Sequence, residues 1–106
     1  MTQSVLITGT STGLGLALSV LAAQSGFTVF ATMRDLTKRG PLDAALAAAG
    51  VTAEVLQLDV TDQTSIDAAV AAVIARHGSI DQLVNNAGAG FLRPVDLADM
   101  KLPHLR

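Results

Sequence analysis

Thr8-Gly9-Thr10-Ser11-Thr12-Gly13-Leu14-Gly15 follows directly on Ser4-Val5-Leu6-Ile7-Thr8 and opens a stretch in which Leu14, Leu18 and Leu21 stand at i, i+4 and i+7. The apolar run before the glycines reads as a buried strand, and the periodic run after them as a helix. Without Cβ atoms at Gly9, Gly13 and Gly15 the backbone can turn sharply, come close to a ligand and let the helix pack tightly on the strand. The free N–H groups of the first helical turn then face one spot, where the helix dipole is worth roughly 0.3–1 kcal/mol to an anion. A diphosphate is the expected occupant, and Ser11 and Thr12 can add hydroxyl donors. The spacing is Gly-x-x-x-Gly-x-Gly and not the Gly-x-Gly-x-x-Gly of the usual dinucleotide fingerprint. Three nearby glycines alone would also suit a plain turn; their place between a strand and a helix favours a nucleotide.

Outward from this turn the same alternation repeats. Gly26 punctuates the chain before Phe27-Thr28-Val29-Phe30-Ala31-Thr32, the second predicted strand. Gly40-Pro41 then opens a helix with Leu42, Ala45, Leu46 and Ala49 on one face, closed by Gly50. The third strand is expected from Ala53 to Val60. Asp62 can cap the next helix, whose Ile66, Val70, Val73 and Ile74 form a stripe; His77 lies at its negative end, and Gly78 stops it. A fourth strand, Ile80 to Val84, runs into Asn85-Asn86-Ala87-Gly88, and Gly90 and Pro94 mark a loop. Strands joined by helices of this length are parallel, and right-handed crossovers place the helices on both faces of an open sheet.

Composition narrows the function classes. A chain of 106 residues, 50% hydrophobic and 15% charged, is expected to form one core. No window approaches the roughly 20 apolar residues of a membrane helix, and Met1 leads into the first strand without the features of a signal peptide. Cytoplasmic placement is the expectation. There is no cysteine for a disulfide or a thiolate. A net charge of −2, with no basic stripe and neither Tyr nor Trp, argues against nucleic acid. No His, Asp and Glu grouping has ligand spacing, so no metal is expected. Lys38-Arg39 reads as a solvated loop and His77 as a partner for the helix dipole.

Thr8-Gly9-x-x-x-Gly13-x-Gly15, taken with Asn85-Asn86-Ala87-Gly88 after the fourth strand, resembles the two N-terminal motifs of the short-chain dehydrogenase/reductases. Leu58-Asp59-Val60-Thr61-Asp62 extends the match, which spans about residues 4 to 98. The resemblance implies an α/β, Rossmann-like three-layer parallel sheet of strand order 3-2-1-4, here the N-terminal half only. Residues 1–95 would form the NAD(P)-binding part and residues 96–106 a tail that departs from the pattern. It also implies hydride transfer between a nicotinamide and a hydroxyl or carbonyl substrate. Gly9, Ser11, Thr12, Gly13, Leu14 and Gly15 would hold the pyrophosphate. Asp59 would take the adenine amino group, the backbone of Val60 would lie against the ring, and Asn86, Ala87 and Gly88 would sit beside the adenosine ribose.

The family's acidic position for an NAD ribose hydroxyl falls on Met33, which accepts no hydrogen bond, and Arg34 follows it. A guanidinium there can pair with a 2′-phosphate, so NADP(H) is expected over NAD. The family's catalytic Ser and Tyr-x-x-x-Lys have no counterpart: the chain has no tyrosine, and its only lysines, Lys38 and Lys101, are not placed for the role. A tyrosine needs a neighbouring cation to act near neutral pH, since its own pKa is about 10. No catalytic residue is therefore assigned, and the isolated chain is expected to be inactive. Gly90-Phe91-Leu92-x-Pro94-Val95 resembles members of the retinol and hydroxysteroid dehydrogenase type, whereas Met100 to Arg106 does not, and the chain reads as truncated or frameshifted. The rival expectation is a non-catalytic nucleotide-binding or interaction module that self-associates through the edge of strand four.

Overall fold

The structure, a computed structural model, describes residues 2–86. The predicted tail and the boundary at residue 95 lie outside the described residues. Eight elements follow in order: β1 (Ser4–Ile7), α1 (Gly13–Gln24), β2 (Thr28–Met33), a 3-10 turn (Leu36–Lys38), α2 (Gly40–Ala49), β3 (Glu54–Gln57), α3 (Gln63–His77) and β4 (Gln82–Val84). All strand pairs are parallel and their order is β3-β2-β1-β4. Register runs from Ser4 opposite Thr28 to Ile7 opposite Ala31, and from Val5 opposite Gln82 to Ile7 opposite Val84. The chain winds one way from β1 to β3, then crosses β1 to reach β4. That reversal opens a crevice at the C-terminal ends of β1 and β4, where ligands of open α/β sheets bind.

Alternation along the strands divides the core between the two faces. Leu6 and Phe30 point to one side and pack with Ile66, Ala69, Val70 and Val73 of α3. Val5, Ile7, Val29, Ala31 and Met33 point to the other, against Leu42 and Leu46 of α2 and the half-buried flank of α1. Two of the helices start on a local signal. Asp62 accepts a 3.1 Å bond from the Thr64 amide and starts α3, and Pro41 lies in the first turn of α2. Among the described residues no helix is long and apolar enough to cross a membrane. β4 has β1 on one side and no strand on the other among those residues.

The periodicity gives the first helix, and the structure shows which of its sides faces the sheet. Gly15 and Ser19 are the buried positions of α1, while Leu14 and Leu21 are 64% and 58% exposed. Small residues face the sheet because α1 approaches it closely, so the leucine stripe turns aside. Leu14 faces the crevice, and Leu21 borders an apolar groove with Leu18, Val5, Ile7 and Val84. Leu6→Ala is expected to cost about 3 kcal/mol by leaving a cavity under a fully buried side chain. Leu21→Ala should cost under about 0.5 kcal/mol, as surface substitutions do. Urea unfolding of the two variants checks this, and equal losses would mean that Leu21 is buried as Leu6 is.

At the opposite end of the sheet the Ser4 amide donates to Asp81 Oδ2 at 2.8 Å, and the Ser4 hydroxyl donates to the Ser79 carbonyl at 2.7 Å. The amide bond is the main reason the Asp81 carboxyl is held below its ordinary range, with Ser79 adding to it. His77, at the negative end of α3 as expected, lies 3.8 Å from the same oxygen.

Candidate functional site

The loop after β1 carries two left-handed residues, Gly9 at φ 68° and Gly13 at φ 61°, a conformation that costs other residues roughly 1–2 kcal/mol. It is fastened to β2: Thr10 donates to the Thr32 carbonyl through its amide at 3.1 Å and its hydroxyl at 3.0 Å. Thr32 in turn donates its hydroxyl to the Ile7 carbonyl at 2.9 Å. Gly15 acts differently. A Cβ there would overlap the Gly9 carbonyl oxygen and lie 2.7 Å from Asn86 Nδ2, so its bare backbone is what lets α1 close onto the loop.

Thr12 has the extended backbone of an N-cap, yet its side chain takes no hydrogen bond from the first turn of α1, and no acidic residue stands in that turn. Helices leave their first N–H groups without internal partners. Here these donors open on the crevice, an arrangement that suits a bound anion.

Two motifs far apart in sequence meet at this point. Thr8 Oγ1 accepts from the Asn86 amide at 2.9 Å and donates to Asn85 Oδ1 at 3.0 Å. The Thr8 amide donates to the Val84 carbonyl at 3.0 Å, and Asn86 Nδ2 donates to the Gly9 carbonyl at 3.2 Å. Asn86 therefore holds the glycine loop to the end of β4. Ala87 and Gly88, expected beside it, lie outside the described residues.

The far wall comes from the ends of β2 and β3. Strand three ends at Gln57, sooner than predicted, and Leu58 to Thr61 peel away to line the crevice. Asp59 Oδ1 accepts from the Thr61 amide at 2.9 Å and the Thr61 hydroxyl at 2.7 Å, which leaves Oδ2 to accept from an incoming group. The Thr61 hydroxyl and then its amide hold the Asp59 carboxyl below its ordinary range, with the Arg34 guanidinium a smaller influence in the same direction. It is a carboxylate at neutral pH.

Arg34 is exposed on the rim directly after β2 and enters no ion pair among the described residues. Its neighbour Asp35 is engaged elsewhere, accepting from the Thr37 amide at 3.0 Å and the Thr37 hydroxyl at 2.7 Å to start the 3-10 turn. Met33 is only 2% exposed and packs in the cluster with Leu42 and Leu46 while touching the crevice. An acidic residue at this position would have to be accommodated against that core.

The resulting crevice encloses about 560 Å³, within the common range for small-molecule sites. Gly9, Ser11, Thr12, Gly13, Leu14, Arg34, Asp59, Val60 and Asn86 all line it, and Gly15 lies beneath. Thr61 and Leu58 line it too, although the sequence reading gave them no role. The Asp-x-Thr spacing, which favours a turn closed by the aspartate side chain, was the available signal for Thr61.

A family model described as "short chain dehydrogenase" matches residues 3–104. Retinol dehydrogenase 8 of Bos taurus is 42% identical over 98 residues, covering 89% of this chain and 31% of the relative. Estradiol 17-beta-dehydrogenase 1 of Rattus norvegicus is 44% identical over 102 residues, covering 91% of this chain and 29% of its own length. Among solved structures, a metagenomic short-chain oxidoreductase in complex with NADP superposes with a TM-score of 0.75 at 32% identity, covering 92% of this chain and 48% of that one. The chain thus spans about a third of the length of these curated relatives. With the glycine turn, the strand order and the Asn85-Asn86 junction all in place, the chain belongs to the short-chain dehydrogenase family.

Proposed function

We propose that this chain is the NADP(H)-binding part of a short-chain oxidoreductase. One observation carries the reading: one crevice joins the open mouth of α1, the guanidinium of Arg34, which enters no ion pair among the described residues, and the carboxylate of Asp59. Their chemistry fits the three parts of an adenosine 2′-phosphate 5′-diphosphate in turn. The amides at Gly13 to Gly15, with Ser11 and Thr12, would hold the diphosphate. Arg34 would pair with the 2′-phosphate in a fork of two hydrogen bonds, and Asp59 Oδ2 would accept from the adenine amino group while Val60 lies along the ring. Asn86, with Ala87 and Gly88, would border the ribose. The nicotinamide of such a cofactor would give or take the hydride; this chain's residues would bind and orient it.

The names of the retinol and estradiol relatives suggest a lipophilic alcohol or its carbonyl as the substrate. No residue of the described crevice has the character of a general acid, and the whole chain has no tyrosine, so turnover by the 106 residues alone is not expected. Calorimetric titration with NADPH and NADH tests the reading: tighter binding of NADPH is the expected result, and equal or absent binding of both would overturn it. A second reading, a module that pairs the β4 edge with another copy, draws on that edge lying beside the apolar groove at Leu21. A defined oligomer that ignores both nucleotides would favour it.

A further inference from the structure

We infer that Ser65 and Gln57, which do not line the crevice, form a hydrogen-bonded relay that fixes the Asp59 wall relative to the Arg34 wall and so acts in cofactor discrimination; this rests on the NADP(H) reading above. Ser65 lies in the first turn of α3 and is only 8% exposed. Its hydroxyl accepts from the Asp59 amide at 2.7 Å and donates to Gln57 Oε1 at 3.1 Å. Gln57, the last residue of β3, donates from Nε2 to the Arg34 carbonyl at 3.3 Å.

Directionality follows from the chemistry of the groups. A hydroxyl has one proton, and with the Asp59 amide already donating to Ser65 that proton is directed to an acceptor. The Arg34 carbonyl accepts only, so the Gln57 amide satisfies both neighbours in one orientation, oxygen toward Ser65 and nitrogen toward Arg34. The ladder itself contributes one backbone bond here, from the Leu58 amide to the Met33 carbonyl at 3.0 Å. Past it both chains leave the sheet, and Arg34 and Asp59 stand just beyond the last ladder bond. The relay ties these two positions together and connects them to the start of α3. Ser65 and Gln57 are thus positioning residues, acting through the backbone of the two side chains that would meet phosphate and adenine.

The test uses the full chain and its Gln57→Met, Ser65→Ala and Ser65→Thr variants, titrated with NADPH and NADH. Losing one such bond is expected to change affinity about fivefold. Gln57→Met should lower the preference for NADPH by that factor with NADH affinity unchanged. Ser65→Ala should weaken both nucleotides, and Ser65→Thr should recover the parent values. In the nucleotide-free chain the Asp59 amide should exchange with solvent faster in Ser65→Ala than in the parent or Ser65→Thr. A preference that survives Gln57→Met, whether or not the unfolding midpoint falls, overturns the relay alone, as does an Asp59 amide indifferent to Ser65→Ala. A parent chain without any preference for NADPH overturns the cofactor reading, and the relay with it.

Discussion

Gly15→Ala is expected to destabilise the chain by about 3 kcal/mol, the upper part of the usual range for overpacking, and to abolish NADPH binding. The added methyl would overlap the Gly9 carbonyl oxygen and press on Asn86 Nδ2. Neither can yield easily. The Gly9 carbonyl belongs to a loop tied to β2 through Thr10 and also accepts from Asn86, while the Asn86 amide is bonded to Thr8. Relief therefore requires α1 to move off the loop, which displaces the amide donors from the crevice. Gly13→Ala provides the contrast, because nothing lies within 4 Å of a Cβ at that position and its cost is the left-handed backbone alone, roughly 1–2 kcal/mol. Urea unfolding and nucleotide titration of both variants check the difference. A Gly15→Ala chain that folds and binds like the parent would mean that the close contact between α1 and the loop is not what shapes the site.

What could be read from the sequence divides along a physical line. Local signals are legible where one residue does one thing: Asp62 before a helical stripe gives the start of α3, and glycines between a strand and a helix give the turn. The parallel order followed from helices of crossover length between strands, sharpened by the family motifs. The inner face of α1 was not legible, because spacing at i, i+4 and i+7 specifies a stripe without saying whether leucines or the Gly15 and Ser19 side face the sheet. Strand three was read through to Val60, since Leu58 and Val60 look no different from strand residues; in the structure β3 stops at Gln57 and the Asp59 amide donates to the Ser65 hydroxyl. That bond joins residues brought together by the start of α3, and propensity carries no trace of it. Met33 shows a related limit: its position in the motif pointed to the ribose, whereas its bulk found the apolar cluster under β2.

Arg34→Glu is expected to weaken NADPH binding roughly hundredfold, at the upper end of what a charge-assisted, two-pronged hydrogen bond and its reversal supply, while leaving NADH binding within about twofold. The asymmetry follows from what else Arg34 does in the structure. It enters no ion pair among the described residues, and Asp35, whose Oδ1 accepts from Thr37, owes the lowering of its carboxyl first to Thr37 and least to Arg34, so reversing the charge at 34 breaks no salt bridge within the described fold. The one carboxylate of the crevice that feels it is Asp59, whose lowered pKa owes more to the Thr61 hydroxyl and amide than to Arg34. Asp59 therefore stays ionised in the variant and keeps its acceptor for adenine, which is the part that NADH shares with NADPH. Salt gives a second check. An exposed guanidinium facing a phosphate dianion is screened as the Debye length shrinks from about 10 Å at 0.1 M to about 3 Å at 1 M, so the parent's preference should narrow with salt, and the variant's repulsion of the phosphate should ease with it. Titrations of both nucleotides at the two salt concentrations supply the four affinities for each chain. Equal losses for NADPH and NADH would assign Arg34 to the adenine face or to the diphosphate, and the 2′-phosphate would need another partner.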